Sequence, residues 1–139
     1  MKIIVRAVRR HYQHENFFTK GMIALQHFAK PLGRGDIIFA SNEPKPLLNN
    51  EQKGVRPWLV VSVKTLNKMS SFVWAVPFTS KGKGHPLEVE WAENTKTQGF
   101  VLCDQLTTLD VRHRKYSFVE HADIPTEVME KIQAVLGFK

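Results

Sequence analysis

The chain has 139 residues, 42% hydrophobic and 24% charged, with a net charge of +7 and one cysteine. That size and balance suit a single domain with a real core, and they argue against wholesale disorder or two full domains. One cysteine excludes an internal disulfide framework, and no run reaches the roughly 20 apolar residues that cross a bilayer, so a cytoplasmic protein with no membrane contact is expected.

Taken from the start, MKIIVRAVRR breaks its apolar run at Arg6, short of a signal segment. Residues 1–34 hold seven basic side chains (Lys2, Arg6, Arg9, Arg10, Lys20, Lys30 and Arg34) against Glu15 alone, a balance of +6 out of the whole chain's +7. Within this extension, NFFTKGMIALQHFAK spaces Phe18, Met22, Leu25, Phe28 and Ala29 on one helical face. Pro31, Gly33 and Gly35 then punctuate the chain, so a helix over about residues 16–30 is predicted. Residues 1–34 are expected to form a basic helical N-terminal extension, and residues 35–139 the main domain.

From Gly35 the pattern changes to short strands. GDIIFAS opens the first, and Asn42 to Val55 reads as a long polar loop rich in Pro and Asn. RPWLVVSV, SFVWAVPFT, PLEVEW, GFVLCDQL and KYSFVE follow as β-branched or aromatic runs between turn residues. In the strand Val73 to Thr79, alternation sets Trp74, Val76 and Phe78 on one face. That bulky face is the expected core, leaving Thr79 to present its hydroxyl. The chain ends in DIPTEVMEKIQAVLGF, where Asp123 or Ile124 can cap, Pro125 suits the first turn, and Val128, Ile132, Val135 and Leu136 make one apolar stripe. Short strands plus a terminal helix predict a mainly β protein built on a small, strongly bent antiparallel sheet or barrel.

The candidate chemistry sits in two segments, EQKGVRP and PFTSKGKGHP. Pro57 restricts Arg56 to extended backbone, so its guanidinium leaves the loop in few directions. An arginine fork matches phosphate oxygens bidentately and a threonine hydroxyl can bond the same group, so Arg56 and Thr79 could clamp a phosphodiester. The plainer reading pairs Arg56 with Glu51 as a loop staple and leaves Thr79 as a strand end; spacing alone does not choose. A second basic concentration runs from Pro44 to Lys83, with seven basic groups against Glu51, and suits either a polyanion or a solvated face. The KGKG run lacks the frame of a phosphate-binding P-loop and reads as a flexible basic turn. The six histidines offer no specific pair, and no metal-ligand spacing occurs, so neither a metal nor another cofactor is expected. Asp36, Glu88, Asp104 and Asp110 read as caps and strand-end partners, and Cys103 as a buried thiol.

Four blocks in order, GDIIFA, EQKGVRPWLVVS, VPFTSKGKGHPLEV and GFVLCDQLTTLDVRHRK, resemble the MazF/PemK (also called Kid) family of toxin endoribonucleases, over about Gly35 to Phe138. The resemblance implies an SH3-like barrel with a C-terminal helix, a homodimer, metal-independent cleavage of single-stranded RNA, and an antitoxin whose extended acidic segment occupies the RNA site. It places the catalytic arginine, threonine and loop glutamate on Arg56, Thr79 and Glu51. Gln52, Lys53, Ser80 and Lys81 are then candidate substrate contacts, and Phe39 matches an aromatic position near the RNA. The implied reaction is attack of a ribose 2′-OH on the adjacent phosphorus, giving a 2′,3′-cyclic phosphate and a 5′-OH. Arg56 would stabilise the phosphorane, since a guanidinium with pKa above about 12 is a poor base.

Two features depart from the family pattern: the loop reads PKPLLNNEQ where P-x-x-G-x-E-Q is common, and the basic extension has no counterpart in typical members. Two other functions fit the same architecture, a non-enzymatic gyrase poison like the CcdB toxins and a barrel that binds RNA without cutting it.

Overall fold

A computed structural model describes residues 31–43 and 54–138 of the chain. The predicted helix at 16–30, and Glu51, Gln52 and Lys53, lie outside the described residues. The elements in order are β1 (Asp36–Ser41), β2 (Val55–Val60), α1 (Lys64–Met69), β3 (Phe72–Thr79), β4 (Glu88–Trp91), β5 (Gly99–Leu102), β6 (Thr107–Asp110), β7 (Tyr116–His121) and α2 (Thr126–Val135).

The seven strands form one antiparallel sheet in the order β4-β5-β3-β2-β1-β7, with β6 also paired to β3. The eight-residue β3 organises it. One edge of β3 pairs with β2, and its other edge is divided between β6, which takes Phe72–Ala75, and β5, which takes Phe78 and Thr79. The antiparallel sheet is the one expected, but its ends do not join through a main-chain ladder and it is not the closed barrel that the resemblance implied.

Alternate residues of the central strands feed two cores. Ile37, Leu59, Val76, Phe78, Trp91 and Val101 pack with Val128 and Ile132 of α2, whereas Ile38, Trp58, Val60, Val73, Ala75 and Leu109 pack on the other side. Burial on both faces is why these strands read as nearly unbroken apolar runs. On β3, Val76 and Phe78 are buried as expected, but Trp74 is 47% exposed, and Val73 and Ala75 of the opposite face are buried too. The Phe78 ring meets Trp91 edge to face, centroids 5.2 Å apart, and the Trp58 indole N–H donates to the Ala40 carbonyl at 3.1 Å.

Asn67 of α1 is buried and donates to the Leu32 carbonyl at 2.7 Å, while the Ser62 hydroxyl donates to its side-chain oxygen at 2.6 Å. The short helix therefore anchors the chain as it enters β1. At the other terminus, Pro125 occupies the N-cap of α2 with no side-chain cap bond, so neither Asp123 nor Ile124 caps it. Val128 and Ile132 are buried as predicted, but Val135 and Leu136 are about half exposed. Cys103 is buried, and burial pushes its thiol up to about 11.

The two sheet ends are tied by side-chain bonds. Glu120 of β7 accepts from the Lys96 N–H at 3.0 Å, and from the Thr97 N–H and hydroxyl at 2.8 Å each. Burial opposes the charge, but these hydrogen bonds and the nearby Lys96 outweigh it and hold the Glu120 pKa below its ordinary value. A carboxylate with a lowered pKa stabilises the fold fully above its unfolded value and loses that contribution as pH falls through the folded one. Glu120→Ala is expected to cost about 1–3 kcal/mol at neutral pH. Urea unfolding should show the deficit at neutral pH, narrowing as the pH drops through the range below 4.5, the unshifted value. A deficit that persists unchanged in acid would contradict this origin.

Candidate functional site

β2 leaves the loop at Gly54, whose φ of +78° is a left-handed conformation that glycine adopts without cost. Its N–H donates to the Glu43 carboxylate at 2.8 Å, which ties the start of β2 to the end of β1. Arg56 follows, paired with Ala40 of β1. On its other side β2 pairs with β3 in a register that sets Trp58 opposite Pro77, where the ladder ends, and Arg56 and Thr79 each lie two residues beyond that pair.

Arg56 Nη1 donates to the Phe78 carbonyl at 3.1 Å. That bond draws the guanidinium across β2 to the end of β3. The side chain is partly buried, and the loss of solvent lowers its pKa from the ordinary arginine value. The protein thus keeps a cation where water is partly excluded, which strengthens its field on an anion placed beside it. Thr79 ends β3 with its Oγ1 accepting from the Lys81 N–H at 3.3 Å. Acceptance leaves the hydroxyl proton to donate elsewhere.

Val55, Arg56, Pro57, Phe78, Thr79, Ser80 and Gln98 line one open cleft of about 360 Å³. The structure therefore brings Arg56, Thr79 and Ser80 together. Lys81 is exposed in the turn that follows. Phe39 is half-buried opposite Pro57, next to a lining residue but not itself in the lining. Glu51, Gln52 and Lys53 fall outside the described residues, so the alternative pairing of Arg56 with Glu51 does too.

The KGKG turn is anchored more firmly than a flexible loop. The Glu88 carboxylate accepts from the N–H groups of Lys83 at 2.8 Å and Gly84 at 3.1 Å, and Gly82 lies over the Phe100 ring so closely that a Cβ there would sit 2.8 Å from it. Asp36 bonds the Gly33 N–H and His121, and Asp110 bonds the Arg112 N–H and His113, so these acids serve as turn and strand-end partners. Among the described residues no group of three or more His, Cys, Asp or Glu side chains could hold a metal ion, and no helix is long and apolar enough to cross a membrane.

Gln98 is the lining residue that sequence reasoning missed. It sits in TKTQGF, where nothing marks a glutamine before a strand as functional; only folding the β4–β5 connection against the end of β3 places it in the cleft.

A family model described as "PemK-like, MazF-like toxin of type II toxin-antitoxin system" matches residues 33–138. The chain is 30% identical over 110 residues to the endoribonuclease PemK of Escherichia coli, covering 74% of this chain and 80% of that protein. It is 30% identical over 108 residues to the endoribonuclease EndoA of Bacillus subtilis, covering 74% and 89%. Among solved structures, MazF of Deinococcus radiodurans superposes with a TM-score of 0.69 at 31% identity, covering 78% of this chain and 99% of that one. A MazE-MazF structure from the same organism gives 0.65 at 31% identity, covering 79% and 99%.

Proposed function

Because this chain belongs to the PemK-like, MazF-like toxin family of type II toxin–antitoxin systems, we propose that its cleft cuts single-stranded RNA by a metal-independent transesterification centred on Arg56 and Thr79. The coarser activity, endoribonuclease, is that of the relatives PemK and EndoA and is this chain's activity. The observation that carries the finer reading is the convergence of a half-buried guanidinium and a threonine hydroxyl on one cleft.

In the proposed reaction the ribose 2′-oxygen attacks the adjacent phosphorus, a new P–O2′ bond forms, and the P–O5′ bond breaks. The products are a 2′,3′-cyclic phosphate and a 5′-OH. Arg56 stabilises the charge of the phosphorane through its guanidinium, while Thr79 donates its hydroxyl to the same phosphate. Glu51, which precedes β2 in the sequence, is assigned the 2′-OH proton, since a guanidinium is a weak base near neutrality, and the departing 5′-oxygen takes its proton from solvent water. Gln52, Lys53, Ser80 and Lys81 are assigned to the flanking strand of RNA.

The antitoxin is expected to lay an extended acidic segment across the same cation, and the MazE-MazF complexes of relatives support such a partner. A homodimer is also proposed. Leu66 and Met69 of α1 and Phe72 and Trp74 of β3 are exposed large apolar side chains, and a cluster of such residues marks a protein interface.

The test is to incubate the purified protein with single-stranded RNA in EDTA and analyse the fragment ends. Cleavage that survives chelation and leaves 2′,3′-cyclic phosphate and 5′-OH termini is expected. RNA bound but left intact, or cleavage abolished by EDTA, would contradict the proposal; intact RNA with inhibited gyrase would favour the gyrase-poison alternative.

A further inference from the structure

We propose that Gln98 is a specificity-determining residue, its side-chain amide reading the edge of one nucleobase next to the phosphate held by Arg56 and Thr79. This rests on the reading of the cleft as the RNA site and extends it from the backbone to the bases. Gln98 lines the same cleft as Arg56 and Thr79. Its side chain makes no hydrogen bond to a described residue, so both its donor and its acceptor are available to a ligand.

The backbone around it is held from both sides. Thr97 is buried, with its N–H and hydroxyl on the Glu120 carboxylate at 2.8 Å each. Gly99 has φ of +117° and presses on β3 so closely that a Cβ would lie 2.3 Å from the Thr79 carbonyl oxygen. Between buried Thr97 on one side and Gly99 on the other, Gln98 is exposed and lines the cleft. An amide on a backbone held in this way has the property that base reading needs and phosphate binding does not. It is neutral, and it presents one donor beside one acceptor, the pattern that matches adjacent groups on a base edge. Single-stranded RNA exposes those edges because its bases are not paired. Arg56 and Thr79 address the phosphate that every nucleotide carries, whereas Gln98 is the side-chain amide of this lining, with a donor and an acceptor together.

Cleavage sites are to be mapped in a random-sequence RNA pool with the wild-type protein, Gln98→Ala and Gln98→Leu, with melting curves to confirm equal folding. The wild type is expected to prefer one base at a fixed offset from the cut, and both variants to lose about 10- to 100-fold of discrimination at that offset alone. Rates at sites lacking the preferred base should stay unchanged, because nothing is lost there. Either of two results overturns the inference: the same base preference in all three proteins, or a uniform slowing at every site, which is the mark of a merely structural role. Absence of cleavage by the wild type would instead overturn the underlying RNA-cutting reading, and this inference with it.

Discussion

Arg56→Ala is expected to lower kcat/KM for RNA cleavage by about 100- to 1,000-fold, the usual loss when one donor to a developing anion is removed, with little change in melting temperature. The reason lies in where Arg56 stands. Its backbone is fixed by the ladder to Ala40 and by Pro57, which follows it, and its guanidinium is drawn over the cleft by the Phe78 carbonyl. Little core packing depends on the side chain, and the carbonyl it leaves behind lines an open cleft that water reaches. Partial burial is what makes the charge effective, because few waters compete for the phosphate oxygens, and the same burial lowers its pKa. Arg56→Lys retains a charge but not the planar fork, so it should recover only part of the lost rate. Full activity in Arg56→Ala, measured on a defined oligonucleotide, would remove this residue from the mechanism. A large fall in melting temperature would recast it as a structural staple.

Phe78→Ala is expected to act in the opposite sense, through the fold. Phe78 is 2% exposed, sits where β3 is shared between β2 and β5, and packs edge to face on Trp91. Truncating a buried phenylalanine to alanine costs about 3–5 kcal/mol, by lost transfer energy and by the cavity left behind. The substitution keeps the main-chain carbonyl that receives Arg56 Nη1 and the hydroxyl of Thr79, so the chemistry is untouched in the molecules that remain folded. Urea unfolding should therefore show the deficit, while kcat per folded molecule stays close to wild type at low temperature. A loss below about 1 kcal/mol would mean that the two cores repack easily around the gap. These two variants separate chemistry from folding within neighbouring residues of one cleft.

The sheet was legible in the sequence because each strand except β6 carries its own apolar run and turn punctuation. The shared strand β3 was legible as a strand but not in its facing. Alternation assumes one buried face, whereas β3 feeds two cores, so Trp74 faces outward while Val73 and Ala75 are buried. β6 and α1 were missed for different reasons. Thr107–Asp110 has only Leu109 to bury, and Lys64–Met69 has a buried asparagine where a helical pattern would show an apolar residue. Pro57 and the strand end made Arg56 and Thr79 candidates, but spacing left the loop-staple reading open, and it was the resemblance to a known family that selected them. Their meeting required the β2–β3 register, which no local pattern encodes. Gln98 escaped altogether, since its position comes from the Glu120 tie and the tight approach of Gly99 to Thr79, both long-range contacts.

The central claim is that Arg56 and Thr79 act on one phosphate. The most direct measurement is a double-mutant cycle of kcat/KM for wild type, Arg56→Ala, Thr79→Ala and the double variant on a single oligonucleotide. Two groups that stabilise the same phosphorane are coupled, so the double variant is expected to lose markedly less than the product of the two single losses, by about 0.5–3 kcal/mol of interaction energy. Losses that multiply without coupling, or a Thr79→Ala enzyme as active as the wild type, would contradict the account.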